Sequence, residues 1–503
     1  MERRYQAVVR LARVLCRAFF REIEVVGVEN VPCDRGGVLV SWHPNGIIDP
    51  AIILATFPRQ ITFGARDGLF RVPLFGALLR AVGAVPIHRP GDQGRAMSPE
   101  ARRSANLQAL DRLAEEVVAG KFSCLFPEGD SHDQPFLLEL KSGAARFFYR
   151  AWQLSGSSDP SPTIIPVGLH YDAKHAFRSH VLVEFHPPIE LCDDLDFPPP
   201  PNAPEPEHRS RITRLTEELE RVLQEVVHAT ESWEVHFLMH RVRKLVRAER
   251  ARRAGARLRK PTIRERQLAF ARVWDGFRRL EEQNEKALQD LRARVTAYDA
   301  DLRALGLEDH ELDRGPSVLR PSLALIALAR AVGVYFLIPP LLVLGVAAHL
   351  PALGVLWMVT RLAARRVKDV ASIKLLLGAL LLPLTWSVVG VVTFWGHAKA
   401  HDLVPWGPDT PYLVSVISVL FSIVGGAFSL RYLRLSRETI RGLQVRLTRA
   451  RRRGAIRRLR SERAGILAFI DDLTRDLDLP GVVALDGRVV PDGGIPAHKI
   501  LRE

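Results

Sequence analysis

Three apolar stretches in the last third of the chain constrain its fold more than any other feature. Leu323–Thr360 runs for 38 residues with one internal cation, Arg330, and a Pro339-Pro340 pair near its middle. Leu375–Trp395 and Tyr412–Leu430 add runs of 21 and 19 residues. Roughly 20 such residues, wound as a helix, match the ~30 Å hydrocarbon core of a bilayer. Region 321–433 is therefore expected to hold about four transmembrane spans, with the first stretch turning back at its prolines. A single long or re-entrant first element is the alternative, because each arm of that hairpin has only about 18 residues. Arg361, Arg365, Arg366, Lys368 and Lys374 lie between the first two stretches, and Arg431 follows the third. The connection His397–Pro411 carries only Lys399, beside Asp402 and Asp409. By the positive-inside tendency, the N-terminal region, the arginine-rich connection and the C-terminal segment all face the cytoplasm.

The net charge of +15 is concentrated rather than spread. Arg241–Lys260 holds ten basic residues and one acidic, and Arg434–Arg463 holds twelve and two. The remainder is slightly acidic, unlike a nucleic-acid binder with basic residues throughout. Both segments are expected to face anionic lipid. Four cysteines (Cys16, Cys33, Cys124, Cys192) without a CxxC pair exclude a disulfide scaffold and a cysteine zinc site. Sixty-one arginines against ten lysines point to a GC-rich bacterium, hence to a bacterial inner membrane. Residues 1–20 read as a basic amphipathic helix, either packed on its own domain or lying on a membrane surface, and not as a signal peptide.

Residues 21–196 alternate β-rich runs (22–28, 37–41, 60–63, 82–87, 122–126, 163–169, 181–185) with helical ones (50–57, 73–81, 101–119, 144–152). Such alternation predicts an α/β domain with a central mixed sheet flanked by helices. The Pro-rich stretch 197–207 marks a boundary. Residues 208–320 form a charged helical region of two or three long helices, suited to packing or to a homo-oligomer. Residues 434–503 are a basic cytoplasmic helical segment and tail.

Four segments carry chemistry. Ser41-Trp42-His43-Pro44-Asn45-Gly46-Ile47-Ile48-Asp49-Pro50 follows a strand and opens a helix. Folded back, Asp49 would fix the tautomer of His43 and stabilise the cation formed when the ring takes a proton. Phe126-Pro127-Glu128-Gly129-Asp130-Ser131-His132-Asp133 follows an apolar strand, and its glycine permits close approach of a ligand. Gly83-Ala84-Val85-Pro86-Ile87-His88-Arg89-Pro90 ends a strand in an arginine suited to bidentate phosphate binding. Ile164-Ile165-Pro166-Val167-Gly168-Leu169 reads as a buried strand. The histidines His170, His175 and His180 read as exposed loop residues rather than zinc ligands.

In this order the four segments resemble the blocks of the glycerolipid acyltransferase superfamily, which includes glycerol-3-phosphate and lysophosphatidic acid acyltransferases. The resemblance covers about residues 20–190. His43 and Asp49 enclose five residues where the superfamily usually has four. The turn at 126–133, the following Leu137-Leu138-Glu139-Leu140-Lys141-Ser142-Gly143 and the later Lys368-Asp369-Val370-Ala371-Ser372 are similar to the fungal-type glycerol-3-phosphate/dihydroxyacetone-phosphate branch. The resemblance implies His43 as general base and Asp49 as its orienting carboxylate. It implies Arg89 as phosphate ligand and Glu128 with Gly129 as shapers of the acceptor pocket, which Ser131, His132 and Lys141 also line. It further implies a multi-pass membrane enzyme, catalytic domain cytoplasmic, that needs neither metal nor bound cofactor and has no nucleic-acid partner. Its co-substrates would be acyl-CoA or acyl carrier protein and glycerol 3-phosphate or dihydroxyacetone phosphate. Lysophosphatidate as acceptor is the alternative, and an inactive lipid-binding membrane scaffold is another, given the altered His–Asp spacing.

Overall fold

The computed structural model describes residues 2–88, 98–156, 161–200, 202–313, 325, 328–329, 332–364, 366–403, 408–492 and 499–501. The N-terminal domain contains strands β1 (Glu22–Val26), β2 (Gly37–Ser41), β3 (Ile61–Arg66), β4 (Val85–Ile87), β5 (Phe122–Leu125), β6 (Thr163–Tyr171) and β7 (His180–Phe185). They lie in the order β1-β7-β6-β2-β5-β3-β4, and the short strand Lys499–Leu501 adds at the β1 edge. β2 runs parallel to β5 and β6, and β3 parallel to β4 and β5. The β6–β7 pair is antiparallel, which makes the sheet mixed.

All five residues of β2 are buried, as a central strand covered on both faces requires. Leu39 packs against helices α1 (Glu2–Phe19) and α2 (Ile48–Thr56), while Val38 and Val40 face the opposite core. That second face is covered by α3 (Pro99–Val118), α4 (Gly143–Ser155) and α5 (Glu205–Val227). Of the two readings of residues 1–20, the structure shows packing on the domain: Tyr5, Val9, Ala12, Cys16 and Phe19 are buried in its core. Helix α5, with Leu215, Leu219 and Leu223 four residues apart on one face, also belongs to this layer rather than to a separate region beyond the prolines.

Beyond α5, the described part of the charged region holds three long helices: α6 (Trp233–Arg253), α7 (Ile263–Gln283) and α8 (Glu285–Ala304). Helix α6 and α8 share a core with the basic C-terminal helix Arg453–Leu473 through Leu245, Val295, Tyr298, Leu459 and Ile466. The two arginine-rich segments thus meet, and acidic partners neutralise many of their cations. Arg463 is fully buried, donating to Glu249 Oε2 at 3.0 Å, Asp313 Oδ2 at 2.6 Å and the Asp309 carbonyl at 2.7 Å. Arg241 pairs with Asp299 and Asp309, Arg250 with Asp471, and Arg441 with Glu311. The expectation of two lipid-facing segments is corrected to this extent, since buried charges require paired partners.

Three helical stretches among the described residues are long and apolar enough to cross a membrane: Gly345–Ala363, Val367–Leu403 and Pro411–Arg451. Most of 321–331 lies outside the described residues. The helix Ile338–Ala347 runs through Pro339-Pro340, and the break falls at residues 348–349 instead. Close packing there depends on small residues: a Cβ on Gly345 would come within 2.8 Å of Gly425 Cα. The apolar faces of Leu380, Leu384, Val388, Val392 and Trp395 point outward.

Candidate active site

The chain leaves β2 at Ser41, whose Oγ donates to the Val167 carbonyl on β6 at 2.8 Å. Trp42 Nε1 donates to Leu169 O at 3.0 Å, so the two residues before His43 are tied to the sheet. His43 then projects beyond the strand end. The turn back requires a left-handed residue, supplied by Gly46 at φ +52°. Asp49 sits in the first turn of α2, where the helix N-terminus favours a carboxylate.

Asp49 is fully buried and saturated with donors. Its Oδ2 lies 2.8 Å from His43 Nδ1 and accepts the Asn45 N–H at 2.7 Å. Its Oδ1 accepts the Tyr171 hydroxyl at 2.6 Å. Burial and the Asp49 charge push the Tyr171 phenol well above its ordinary range, so it remains a donor. With Nδ1 committed to Asp49, the remaining ring nitrogen of His43, Nε2, has no hydrogen-bond partner among the described residues. The ring stacks on Phe126 with centroids 4.1 Å apart and keeps 15% side-chain exposure, which leaves Nε2 open to an incoming group. An imidazole held in one tautomer by a buried carboxylate can take a proton from a hydroxyl and return it.

Glu128 stands beside the dyad in a different way from the pocket-shaping expectation. It is 2% exposed; Oε2 accepts the His43 N–H at 2.8 Å, and Oε1 accepts the Leu138 N–H at 2.9 Å. Oε1 also lies 2.5 Å from His132 Nε2. Gln134 N–H donates to His132 Nδ1 at 3.2 Å, which leaves Nε2 as the protonated nitrogen that donates to Glu128. His132 N–H in turn donates to the His43 carbonyl at 3.0 Å. Glu128 and His132 therefore brace the His43 loop, and Asp133 pairs with Lys174, whose Nζ also donates to the Pro44 carbonyl at 3.1 Å.

Gly129, at φ +72°, allows the Lys141 side chain to cross directly above it; a Cβ there would meet Lys141 Nζ at 2.6 Å. None of the described residues pairs with Lys141 Nζ, a cation beside the turn. Ser131 offers its carbonyl to Lys368, and its own N–H donates to Asp130 Oδ1 at 2.9 Å. Arg89 lies outside the described residues. Tyr171 and Lys174 escape sequence reasoning, and Asn45 and Phe126 lie in the segments singled out there without a role assigned, although all four stand next to the dyad. His170 is buried on β6, in contrast to the expected exposed loop, and burial lowers its pKa well below the ordinary value. No cluster suited to a metal ion occurs among the described residues.

Residues 22–170 match the family model described as Acyltransferase. This part of the chain is similar to an acyltransferase domain. Residues 253–480 match a second model, the Glycerol-3-phosphate acyltransferase 2 C-terminal domain. That match extends from the helical region through the apolar helices into the basic C-terminal helix. Glycerol-3-phosphate O-acyltransferase 1 of Saccharomyces cerevisiae is 29% identical over 358 residues, covering 66% of this chain and 44% of that protein. Glycerol-3-phosphate O-acyltransferase 2 of the same yeast is 27% identical over 37% of this chain and 23% of its own length. The chloroplastic 1-acyl-sn-glycerol-3-phosphate acyltransferase LPAT1 of Arabidopsis thaliana is 28% identical over 25% of this chain and 32% of its own length. The chain thus spans less than half the length of each of these relatives.

Proposed function

We propose that the protein is a membrane-bound O-acyltransferase that esterifies a hydroxyl of glycerol 3-phosphate or dihydroxyacetone phosphate with a fatty acyl group. The donor is a thioester, acyl-CoA or acyl carrier protein. The observation that carries this reading is the 2.8 Å His43–Asp49 pair with its outer ring nitrogen open, set within an acyltransferase domain. His43 Nε2 removes the acceptor's hydroxyl proton as the oxygen attacks the thioester carbonyl. The tetrahedral adduct collapses with cleavage of the C–S bond, and the imidazolium returns its proton to the departing thiolate. Ester and free thiol result, with no acyl group on the protein. Lys141, which pairs with none of the described residues, and Arg89 are the cations proposed to meet the acceptor's phosphate. Names of the yeast relatives favour glycerol 3-phosphate as acceptor. That of the chloroplastic relative supports lysophosphatidate as the second reading.

The three apolar helices support insertion in a membrane, with the catalytic domain on its cytoplasmic side and, by codon-linked composition, a bacterial inner membrane as the site. The test is thiol release from acyl-CoA by the full chain, with glycerol 3-phosphate, dihydroxyacetone phosphate and lysophosphatidate offered in parallel. Turnover with a soluble phosphate is expected. Turnover with lysophosphatidate alone overturns the acceptor, and turnover with none of the three, or a His43→Ala variant as active as the parent, overturns acyl transfer by this site.

A further inference from the structure

We propose that Lys368 and Ser372, on the first turns of the apolar helix Val367–Leu403, are positioning residues for the His43 loop. On the acyl-transfer reading above, the acyltransferase domain is then competent only with the start of this helix docked on it. The segment Lys368-Asp369-Val370-Ala371-Ser372 lies far outside the catalytic blocks in sequence, yet it touches both sides of the dyad. Ala371 and Leu375 are buried in the same core as Val9, Ile48 and Ile52 of the domain. Ser372 Oγ accepts the Ile47 N–H at 3.2 Å, within the turn between His43 and Asp49.

The contact is close as well as polar. A Cβ on Gly46 would lie 3.1 Å from Ser372 Oγ and 3.6 Å from the Lys368 carbonyl. On the other side Lys368, 7% exposed, donates from Nζ to Asp130 Oδ1 at 3.1 Å and to the Ser131 carbonyl. Asp130 and Ser131 sit between Glu128, which accepts the His43 N–H, and His132, which donates to the His43 carbonyl. Both supports of His43 are therefore within one or two hydrogen bonds of the helix. Arg366 also reaches Asp130, at 3.4 Å, but this pair is exposed and so contributes little. A buried lysine satisfied by one carboxylate and one carbonyl is a directional clamp, unlike an apolar contact, which tolerates sliding.

The experiment compares the full-length chain in lipid nanodiscs with its Lys368→Met, Lys368→Arg, Ser372→Ala and Leu375→Ala variants. It records kcat, KM for both substrates, melting temperature and deuterium uptake of peptides spanning 43–49. Lys368→Met and Ser372→Ala are each expected to lower kcat about tenfold or more, the scale of a dyad misplaced by less than ~1 Å. KM should stay within about twofold, since ground-state binding is not what the clamp provides. Uptake at 43–49 should rise, and Lys368→Arg should restore most of the lost kcat. Leu375→Ala loosens packing without touching either polar link, and should cost more melting temperature for less kcat. Two results overturn the proposal: a Lys368→Met/Ser372→Ala double variant with wild-type kcat and wild-type uptake, or kcat losses that follow melting temperature alike in all variants. Should the parent chain transfer no acyl group, the proposed function fails, and uptake at 43–49 in the variants still decides whether the helix holds the loop.

Discussion

Replacing Asp49 by Asn isolates the charge of the dyad from its shape. The carboxylate receives three donors: the His43 ring, the Asn45 N–H and the Tyr171 hydroxyl. An amide can keep all three positions filled if its oxygen faces His43 and Asn45 and its NH2 donates to a rotated Tyr171 hydroxyl. Folding should therefore survive, with a loss of about 1–2 kcal/mol for the weaker bonds. What disappears is the attraction between the carboxylate and the imidazolium that forms as the hydroxyl loses its proton. With the 2.8 Å contact placing the charge centres ~4 Å apart, that attraction is ~4 kcal/mol at an effective dielectric of ~20. At about 1.4 kcal/mol per decade, kcat should fall roughly a thousandfold while KM changes little. Tyr171→Phe removes a donor but no charge, and should cost about tenfold. The assay is thiol release from acyl-CoA in membranes, with melting temperature recorded alongside. A folded Asp49→Asn protein retaining a tenth or more of parental kcat would refute the reasoning, because catalysis would then not use the carboxylate's charge.

Glu128→Gln leaves the His43 and Leu138 N–H groups and the His132 ring competing for one amide oxygen; it should lower stability by about 1–3 kcal/mol and depress activity with it, as thermal melting and the same assay will report. Arg463→Ala leaves Glu249 to Arg252 and Arg253 and Asp313 to Arg460, and should destabilise the helical region by about 1–3 kcal/mol through the lost buried hydrogen bonds. The double change Arg463→Met/Glu249→Leu should recover part of that loss, and chemical denaturation measures both. His228 and His236 have pKa values pushed down to about 4, first by burial and then by the His186 and Arg243 charges respectively. Because the unfolded chain takes up protons near pH 6.5 that the folded chain refuses, stability present above that pH is lost as pH falls towards 4. Partial solvent access limits the loss to roughly 1–2 kcal/mol per ring. Melting temperature followed from pH 7 to 4 should fall, and His228→Gln should flatten the curve.

What could be read in advance was local in sequence. His43 and Asp49 share one loop between a strand and a helix, so six positions of separation sufficed to anticipate their pairing. The strand Gly37–Ser41 was likewise legible, since its run of Val38, Leu39 and Val40 has no polar interruption. Tyr171 and Ser372 reach the same loop from 122 and 325 positions away, and nothing in the surroundings of Tyr171 marks it. The motif around Lys368 was visible as a pattern, but its purpose depends on a docking that only three dimensions show. Arg463 misled for a related reason: an arginine in an arginine-rich helix reads as solvated until Glu249 and Asp313 appear beside it. Glu128 looked like a ligand-facing acid because a glutamate after a strand usually meets solvent, whereas here three inward donors consume it.

The bond between Ile47 and Ser372 also sets an order of events during synthesis. Every strand from β1 to β7 and both members of the dyad have been made by residue 185, and neighbouring segments of a domain can pair as they emerge. The partner of the Ile47 N–H is still about 190 residues away, roughly 10–40 s at a ribosomal rate of ~5–20 residues per second. Through that interval the loop carries its proton-accepting ring without its last supports. A nascent or truncated chain that ends before the apolar helix would thus hold a folded sheet and an assembled dyad on an unfinished turn.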